Sequence, residues 1–444
     1  MGTPNLRSLA VAITAIALVV AAYAPEAHAD RRSALGGNLL VQDADDVFAF
    51  PHLANKYVRT LSLDLGLGGD FGQVNGDARP APGGEVPGSS AYGSGGLILG
   101  DESLAVGIFV HRGDIINSLP FAATGFGDVQ MLAATNGGAG TLPGVWPRQG
   151  AALLQPLNFI DAVVGLGDSN FGLRLSLGVN TTGTSTKVGD DTTEEDNTTF
   201  VANIVASYGL KGDMNIDLAA EIGFASQSYE LKPAGGGDST TDSSTNLPSI
   251  SLLARGYSPM AKGVDLGFIA LLDFRTGSDE QVQGGGDPDG MSNTTVTALV
   301  GAGPVYTVKD KFQIASYAAL GVGYDSADQS TKPDAKDDES STLSVLLPQL
   351  KLSGEFYATD WLVLRAGIEY AWALVSNTQQ LRENNETTTT LTRTGFRWIS
   401  GIGLDFDELQ INGVLNPAFT LNGPNFIGGT NGTFVLVNVS YDFN

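Results

Sequence analysis

The stretch Phe171-Gly172-Leu173-Arg174-Leu175-Ser176-Leu177-Gly178-Val179-Asn180 alternates an apolar residue with a small, polar or charged one over its whole length. In an extended chain, successive side chains point to opposite faces. Phe171, Leu173, Leu175, Leu177 and Val179 therefore share one side and Arg174, Ser176 and Asn180 the other. The pattern returns at 216–224, with Asp217 and Glu221 on the polar side, and at 264–274, with Asp265 and Asp273. At 362–374 Leu362, Leu364, Ala366, Ile368, Tyr370, Trp372 and Leu374 oppose Arg365 and Glu369. Such segments run about nine to fourteen residues, long for a globular strand and suited to a tilted membrane crossing.

Strands with one oily face survive in lipid only when the sheet closes and leaves no unpaired edge. The fold expected is therefore all-β: a closed antiparallel transmembrane barrel of about 16 strands, or 14 if the first hairpin is misassigned. Connections alternate in length, as tight periplasmic turns and long extracellular loops do. Short ones, rich in Gly, Asp and Asn, are predicted at 100–102, 167–170, 211–213, 258–263, 309–310, 358–360 and 405–408. Long ones fall at 69–90, 112–157, 181–197, 230–247, 276–293, 325–341, 375–391 and 416–431. Tyr208, Tyr257, Tyr306 and Tyr357 each end a strand before a short turn. The alternation puts Tyr208 and Tyr306, and Phe356 beside Tyr357, toward lipid at the boundary where aromatic rings collect.

Composition agrees. Gly makes up 58 of 444 residues and 16% are charged, and no apolar run of helix-spanning length follows the N-terminal segment. The net charge of -24 sits mostly in the predicted long loops and disfavours nucleic acid as a partner. Those acidic loops would hold divalent cations loosely against lipopolysaccharide. Residues 287–290 offer an Asp-Pro-Asp-Gly run, but a distal Glu is missing, so neither a dedicated metal site nor a cofactor is expected. Cysteine is absent, which removes thiol chemistry and disulfides. Residues 1–29 read as a signal peptide, with Arg7, an apolar stretch and Ala27-His28-Ala29 as the cleavage signature. Residues 30–57 follow as a periplasmic lead-in or lumen plug, and 58–444 as the barrel, placed in a bacterial outer membrane. Histidine is limited to His28, His52 and His111. His111 near Asp114 is the one candidate base, and no enzyme is expected.

The last stretch, Phe434-Val435-Leu436-Val437-Asn438-Val439-Ser440-Tyr441-Asp442-Phe443, resembles the terminal strand signal of bacterial outer-membrane proteins, although Asn444 follows the aromatic. The resemblance implies delivery by the barrel-assembly machinery and a barrel of the porin type. Leu35-Gly36-Gly37 with Asp45-Asp46-Val47-Phe48-Ala49-Phe50-Pro51 resembles the segment before the barrel in the long-chain fatty-acid transporter family, whose usual Asn before Pro is Phe50 here. In that family the segment plugs the lumen.

Sixteen strands enclose room for an aqueous channel. The polar phase places Arg174, Asp217, Glu221, Arg255, Lys351, Glu355, Arg365, Glu369, Arg393 and Arg397 along the pore. The last six come from three consecutive strands and would form one charged wall, either setting a transverse field in open water or pairing mutually to fill a narrow lumen. The connection 112–156 is nearly neutral and carries Phe121, Phe126 and Trp146, which would form a constriction or an apolar ligand access route. Passive diffusion of small polar solutes is the leading reading. Transport of hydrophobic compounds and a closed structural or adhesive barrel are the alternatives, and self-association stays open.

Overall fold

The computed structural model describes residues 31–66, 93–113, 157–168, 170–188, 191–232, 241–283, 289–308, 311–330, 338–381, 385–415 and 434–443. The expected signal peptide, Phe121, Phe126, Trp146, Asp114, Asp287 and Pro288 lie outside the described residues. Sixteen antiparallel strands close on themselves, each paired with its sequence neighbours, and the first pairs with the last. They are β1 Thr60–Gly66, β2 Gly93–Gly100, β3 Leu104–Gly113, β4 Leu157–Leu166, β5 Phe171–Val188, β6 Asp191–Leu210, β7 Asn215–Lys232 and β8 Thr241–Ala261. There follow β9 Val264–Gln283, β10 Asp289–Val308, β11 Phe312–Ser330, β12 Asp338–Tyr357, β13 Leu362–Leu381, β14 Asn385–Phe406, β15 Leu409–Leu415 and β16 Phe434–Asp442. Closure runs from Thr60 opposite Asp442 to Gly66 opposite Leu436. Every strand thus has two partners, and no edge is left to lipid.

Ten strands, β5 to β14, are 18–22 residues long, well beyond the expected nine to fourteen. The expected long loops at 181–197, 230–247, 276–293, 325–341 and 375–391 are mostly strand. Between β5 and β6 the register continues from Asn180 opposite Thr199 to Val188 opposite Asp191. Above the lipid the outer face meets water, as at the exposed Thr192, Glu194 and Asp196, so the apolar alternation stops. Thr-rich sequence nevertheless favours the pleated conformation. Polar composition there signalled solvent, not irregular backbone.

The outer belt is as the alternation requires. Leu173, Leu175, Leu177 and Val179 on β5, Ile204 on β6 and Ile222 on β7 are exposed, whereas Arg174, Ser176, Asn203 and Glu221 are buried. From Phe200 to Tyr208, both exposed on β6, is about 27 Å along the strand, enough for a tilted crossing of the hydrocarbon. Tyr306, Phe356, Trp361, Phe406 and Tyr441 extend the lower girdle, while Phe224, Phe274, Tyr324, Trp372 and Trp398 extend the upper one. Tyr257 and Tyr357 point inward, where their hydroxyls donate to the Leu40 carbonyl (3.2 Å) and to Glu355 (3.0 Å). Among the described residues, none of the outward positions between these girdles on β5 to β14 carries Asp, Glu, Lys or Arg. This closed wall with a continuous apolar belt places the chain in an outer membrane.

Local chemistry sets the details. In the turn between β2 and β3, Asp101 accepts hydrogen bonds from the Ser103 hydroxyl and from the backbone N–H groups of Leu104 and Ser103, which hold its carboxyl below the usual carboxylate range. On β12 two residues, Leu347 and Pro348, stand against Trp372 alone. Proline cannot donate to the ladder, and the bulge shifts the inward phase from Ser344 and Leu346 to Gln349 and Lys351. Among the described residues no helix is long and apolar enough to cross a membrane.

The belt makes a prediction. Ile222→Arg, on the exposed middle of the lipid face, should cost about 2–4 kcal/mol, while Thr198→Arg, on the same face above the belt, should cost about 0–1 kcal/mol. Reversible urea unfolding from lipid vesicles measures both, and equal costs would contradict the placement of the bilayer.

Candidate functional site

Residues 31–58 do not hang below the barrel. They form two short helices, α1 Arg31–Ala34 and α2 Asp46–Ala49, and a 3-10 helix Pro51–Lys56, packed inside the short-turn half of the lumen. The wall is sculpted to receive them. A Cβ on Gly172 would lie 2.1 Å from the His52 backbone nitrogen, and one on Gly367 would lie 2.4 Å from the Leu35 carbonyl carbon. Glycine is required at both positions because backbone meets backbone there. Leu35, Leu39, Leu40, Phe50 and Leu53 of this plug are at most 4% exposed and pack against Leu253, Ile269 and Tyr317 of the inner wall. Each such burial contributes about 1.5–3 kcal/mol.

The polar groups fix the register of that apolar packing. Asp46 of the plug accepts from Arg32 and from Arg255 Nη1, the latter at 2.8 and 2.9 Å. Arg255 reaches on to Asp217 through Nη2 at 2.9 Å and Nε at 3.2 Å, and its guanidinium lies 4.7 Å from the Phe50 ring centroid. Asp217 also sits 3.0 Å from His52 Nε2, while His52 Nδ1 is 2.9 Å from Ser207 Oγ. Ser207, His52 and Asp217 are the residue types of a hydrolytic triad. Here, however, the Ser207 oxygen accepts the His52 backbone N–H at 2.9 Å, Asp217 is shared with Arg255, and Ser207 is 3% exposed. The arrangement is a clamp between plug and wall.

A second clamp lies across the lumen. Glu355 accepts from Arg31 at 2.7 and 2.8 Å and from Arg365 at 2.7 Å. From Arg365 a hydrogen-bonded ladder runs along the wall through Asn412 (2.7 Å), Asn438 (3.3 Å) and Ser62 (3.1 Å). Lys351 lies 3.5 Å from Glu369 and 3.4 Å from the Gly36 carbonyl, and Ser353 donates to the Leu35 carbonyl at 2.7 Å. Arg174 pairs with Asp161 at 2.8 Å and caps the Phe48 carbonyl at 3.2 Å.

The charged positions read from the alternation are thus brought together, but not around open water. Arg174, Glu221, Arg255, Lys351, Glu355, Arg365 and Glu369 are all under 9% exposed. In place of a field across open water, Arg255 and Glu355 pair with the plug and Arg174, Lys351, Arg365 and Glu369 pair within the wall, while Glu221 has no hydrogen-bond partner among the described residues. Arg393 and Arg397 stand opposite Ala373 and Glu369 in the β13–β14 register, and His111 lies on β3. The partners that sequence reasoning missed are Arg31, Arg32, Asp46, His52, Ser207, Asp161 and the Asn412–Asn438 ladder. A signal for three of them existed: Arg31, Arg32 and Asp46 are charges in a stretch otherwise rich in Leu, Ala and Phe.

Beside the second clamp, between the plug and the wall of β1, β2, β15 and β16, lies a cavity of about 570 Å³. Ser62, Gln410, Asn412, Asn438 and Ser440 line its wall side and Arg31, Gln42, Asp43 and Lys56 its plug side, with Arg59, Asp101, Glu102 and Asp442 toward the short-turn rim. Charged, amide and hydroxyl groups thus stand on both the wall side and the plug side of the cavity, beside apolar surface from Ala44, Val58 and Phe443.

No family model and no curated protein matches the chain. Solved structures with similar strand arrangements include the ferric yersiniabactin uptake receptor FyuA from Yersinia pestis, at 11% identity and TM-score 0.35, covering 87% of this chain and 80% of that one. The transport unit of the autotransporter AIDA-I from Escherichia coli aligns at 11% identity and TM-score 0.32 over 62% of this chain and 90% of its own. The Pseudomonas putida toluene transporter TodX aligns at 12% identity and TM-score 0.31 over 65% and 83%. At these scores neither family nor ligand follows from the likeness.

Proposed function

We propose that the chain is an outer-membrane channel for small polar solutes, in which the N-terminal plug confines passage to the β15–β16–β1–β2 side. The observation that carries this reading is the cavity of about 570 Å³ on that side, where polar groups of the plug and of the wall face each other across a gap. Elsewhere the plug is packed and ion-paired to the barrel. Amides and hydroxyls such as Asn412, Asn438 and Ser62 exchange hydrogen bonds with a passing solute at little net cost. Catalysis has no part in the reading, since Ser207, His52 and Asp217 are committed to the clamp.

The filled lumen itself favours a second reading, transport of a hydrophobic compound coupled to plug movement. Leu35, Leu39, Leu40 and Phe50 would then be exchanged for ligand against the apolar wall. The two differ in what plug removal does.

Deleting residues 31–58, or expelling the plug backbone with Gly367→Val, should raise single-channel conductance in planar bilayers several-fold and reduce solute selectivity. Asn412→Trp with Asn438→Trp should lower conductance while the plug stays seated. Conductance that does not respond to the tryptophans, together with plug-dependent uptake of apolar solutes, would replace the first reading by the second.

The clamp gives a separate outcome. Asp46→Ala leaves Arg255 and Arg32 buried without their shared carboxylate and should cost about 3–5 kcal/mol, seen as faster proteolysis of the N-terminal segment. Arg255→Met with Asp46→Leu and Arg32→Met should restore much of that protection, because all three members of the buried cluster are then apolar and Asp217 keeps His52. Full protection of the single variant would show that the ion pair does not hold the plug.

A further inference from the structure

Above the plug, at the level of the lipid belt, three inward side chains on adjacent strands lack any hydrogen-bond partner among the described residues. They are Ser176 on β5, Asn203 on β6 and Glu221 on β7, at 0%, 1% and 1% exposure. The hydroxyl of Ser176, both amide atoms of Asn203 and both carboxylate oxygens of Glu221 are unmet. Ser176 stands directly opposite Asn203, and Asn203 and Glu221 are diagonal neighbours across the next pair, opposite Gly223 and Val205. Cβ separations of about 4.5–8 Å follow, so the functional groups can converge on one small ligand. Their lipid-facing neighbours Leu175, Leu177, Ile204 and Ile222 are exposed, which fixes the inward orientation.

Surroundings determine what that ligand is. Phe159 and Val201, each 1% exposed, roof the group one step up the barrel, and Val205 at 0% lies beside it. A buried carboxylate in such company is costly unless a charge meets it. The charged groups around Glu221 are Arg174, Arg275, Asp273 and Asp161. Arg174 is matched by Asp161 at 2.8 Å and Arg275 by Asp273 at 2.8 Å, so the carboxylate form of Glu221 has no counter-charge of its own in the wall. The donor set is oxygen-rich and its charge deficit is one.

We infer that Ser176, Asn203 and Glu221 form a lumenal binding site for one monovalent cationic group, either an alkali-metal ion or a primary ammonium. A small cation accepts carboxylate, amide and hydroxyl oxygens together, and an ammonium presents three N–H donors to the same three groups. A divalent ion would overshoot the charge and demands more oxygens. The role of this site in passage rests on the channel reading; the binding itself does not.

The test uses the full-length chain folded in detergent micelles, with tetramethylammonium chloride, which has no N–H donors, as background electrolyte. Sodium, potassium or methylammonium chloride replaces part of it at constant ionic strength, and the heat-unfolding midpoint is read from the compact electrophoretic band. The unsubstituted chain should show a saturable upward shift. Glu221→Gln, close to isosteric, should require about tenfold or more ion for the same shift, as should the charge-conserving Asn203→Leu. Asp328→Asn on the outer face should behave like the unsubstituted chain. A response to sodium or potassium alone identifies a metal ion, and one to methylammonium identifies an organic ammonium. No shift in the unsubstituted chain, or equal shifts in it and Glu221→Gln, overturns the site. Conductance is recorded separately, so loss of the channel reading with binding intact is distinguishable.

Discussion

A backbone N–H or C=O left unpaired in hydrocarbon costs several kcal/mol, and no water is at hand to relieve it. That constraint organises the whole molecule. It forces β1 to meet β16 from Thr60–Asp442 to Gly66–Leu436, and it leaves side-chain direction as the only freedom along each strand. One face must then be apolar because it meets lipid. The other face is released from that demand, which is why Arg174, Asp217, Glu221, Arg255 and Glu369 can all lie in the membrane-spanning wall.

Release from lipid does not mean access to water. The inner face near the short turns is covered by residues 31–58, so its charges are desolvated by protein and had to acquire partners. The plug supplies them: Arg31 for Glu355, Asp46 for Arg255, His52 for Asp217. Apolar packing of Leu35, Leu39, Leu40 and Phe50 contributes most of the attraction, and the ion pairs select one seating among many. Gly172 and Gly367 add a steric condition, since only bare backbone at these wall positions admits the plug backbone. Where no plug residue answers a wall group, as at Glu221 and Asn203, the same reasoning points to a ligand from outside the chain.

Much of this was legible before any coordinates. The alternation at 171–180 and 362–374 depends on nearest neighbours in sequence, so the lipid face, the inward charges and the strand count followed from it. The exclusion of Tyr257 and Tyr357 from the girdle followed as well. The extracellular strand extensions were not legible. Thr181 and Ser185 are exposed above the belt, and where both phases of a strand are polar in sequence there is no period to read. The bulge at Leu347 and Pro348 likewise hides a change of phase that only the opposing Trp372 reveals. Contacts such as Arg31 with Glu355, 324 residues apart, carry no local signature at all.

The plug also explains why the barrel interior divides as it does. Clamps at Asp46, Asp217 and Glu355 tie the segment to β8, β7 and β12, and the groups they use are charged. Along β15, β16 and β1, by contrast, the wall offers Asn412, Asn438 and Ser62, neutral groups bonded chiefly to one another. A charged wall facing a charged plug closes, because each separation would strand ions in a medium of low polarity. A neutral amide ladder facing a gap stays open to exchange, because its hydrogen bonds can pass from neighbour to water or solute without creating a charge. The asymmetry between the clamped side and the cavity side is therefore written in residue type, charged where plug and wall meet and neutral along the ladder of Asn412, Asn438 and Ser62.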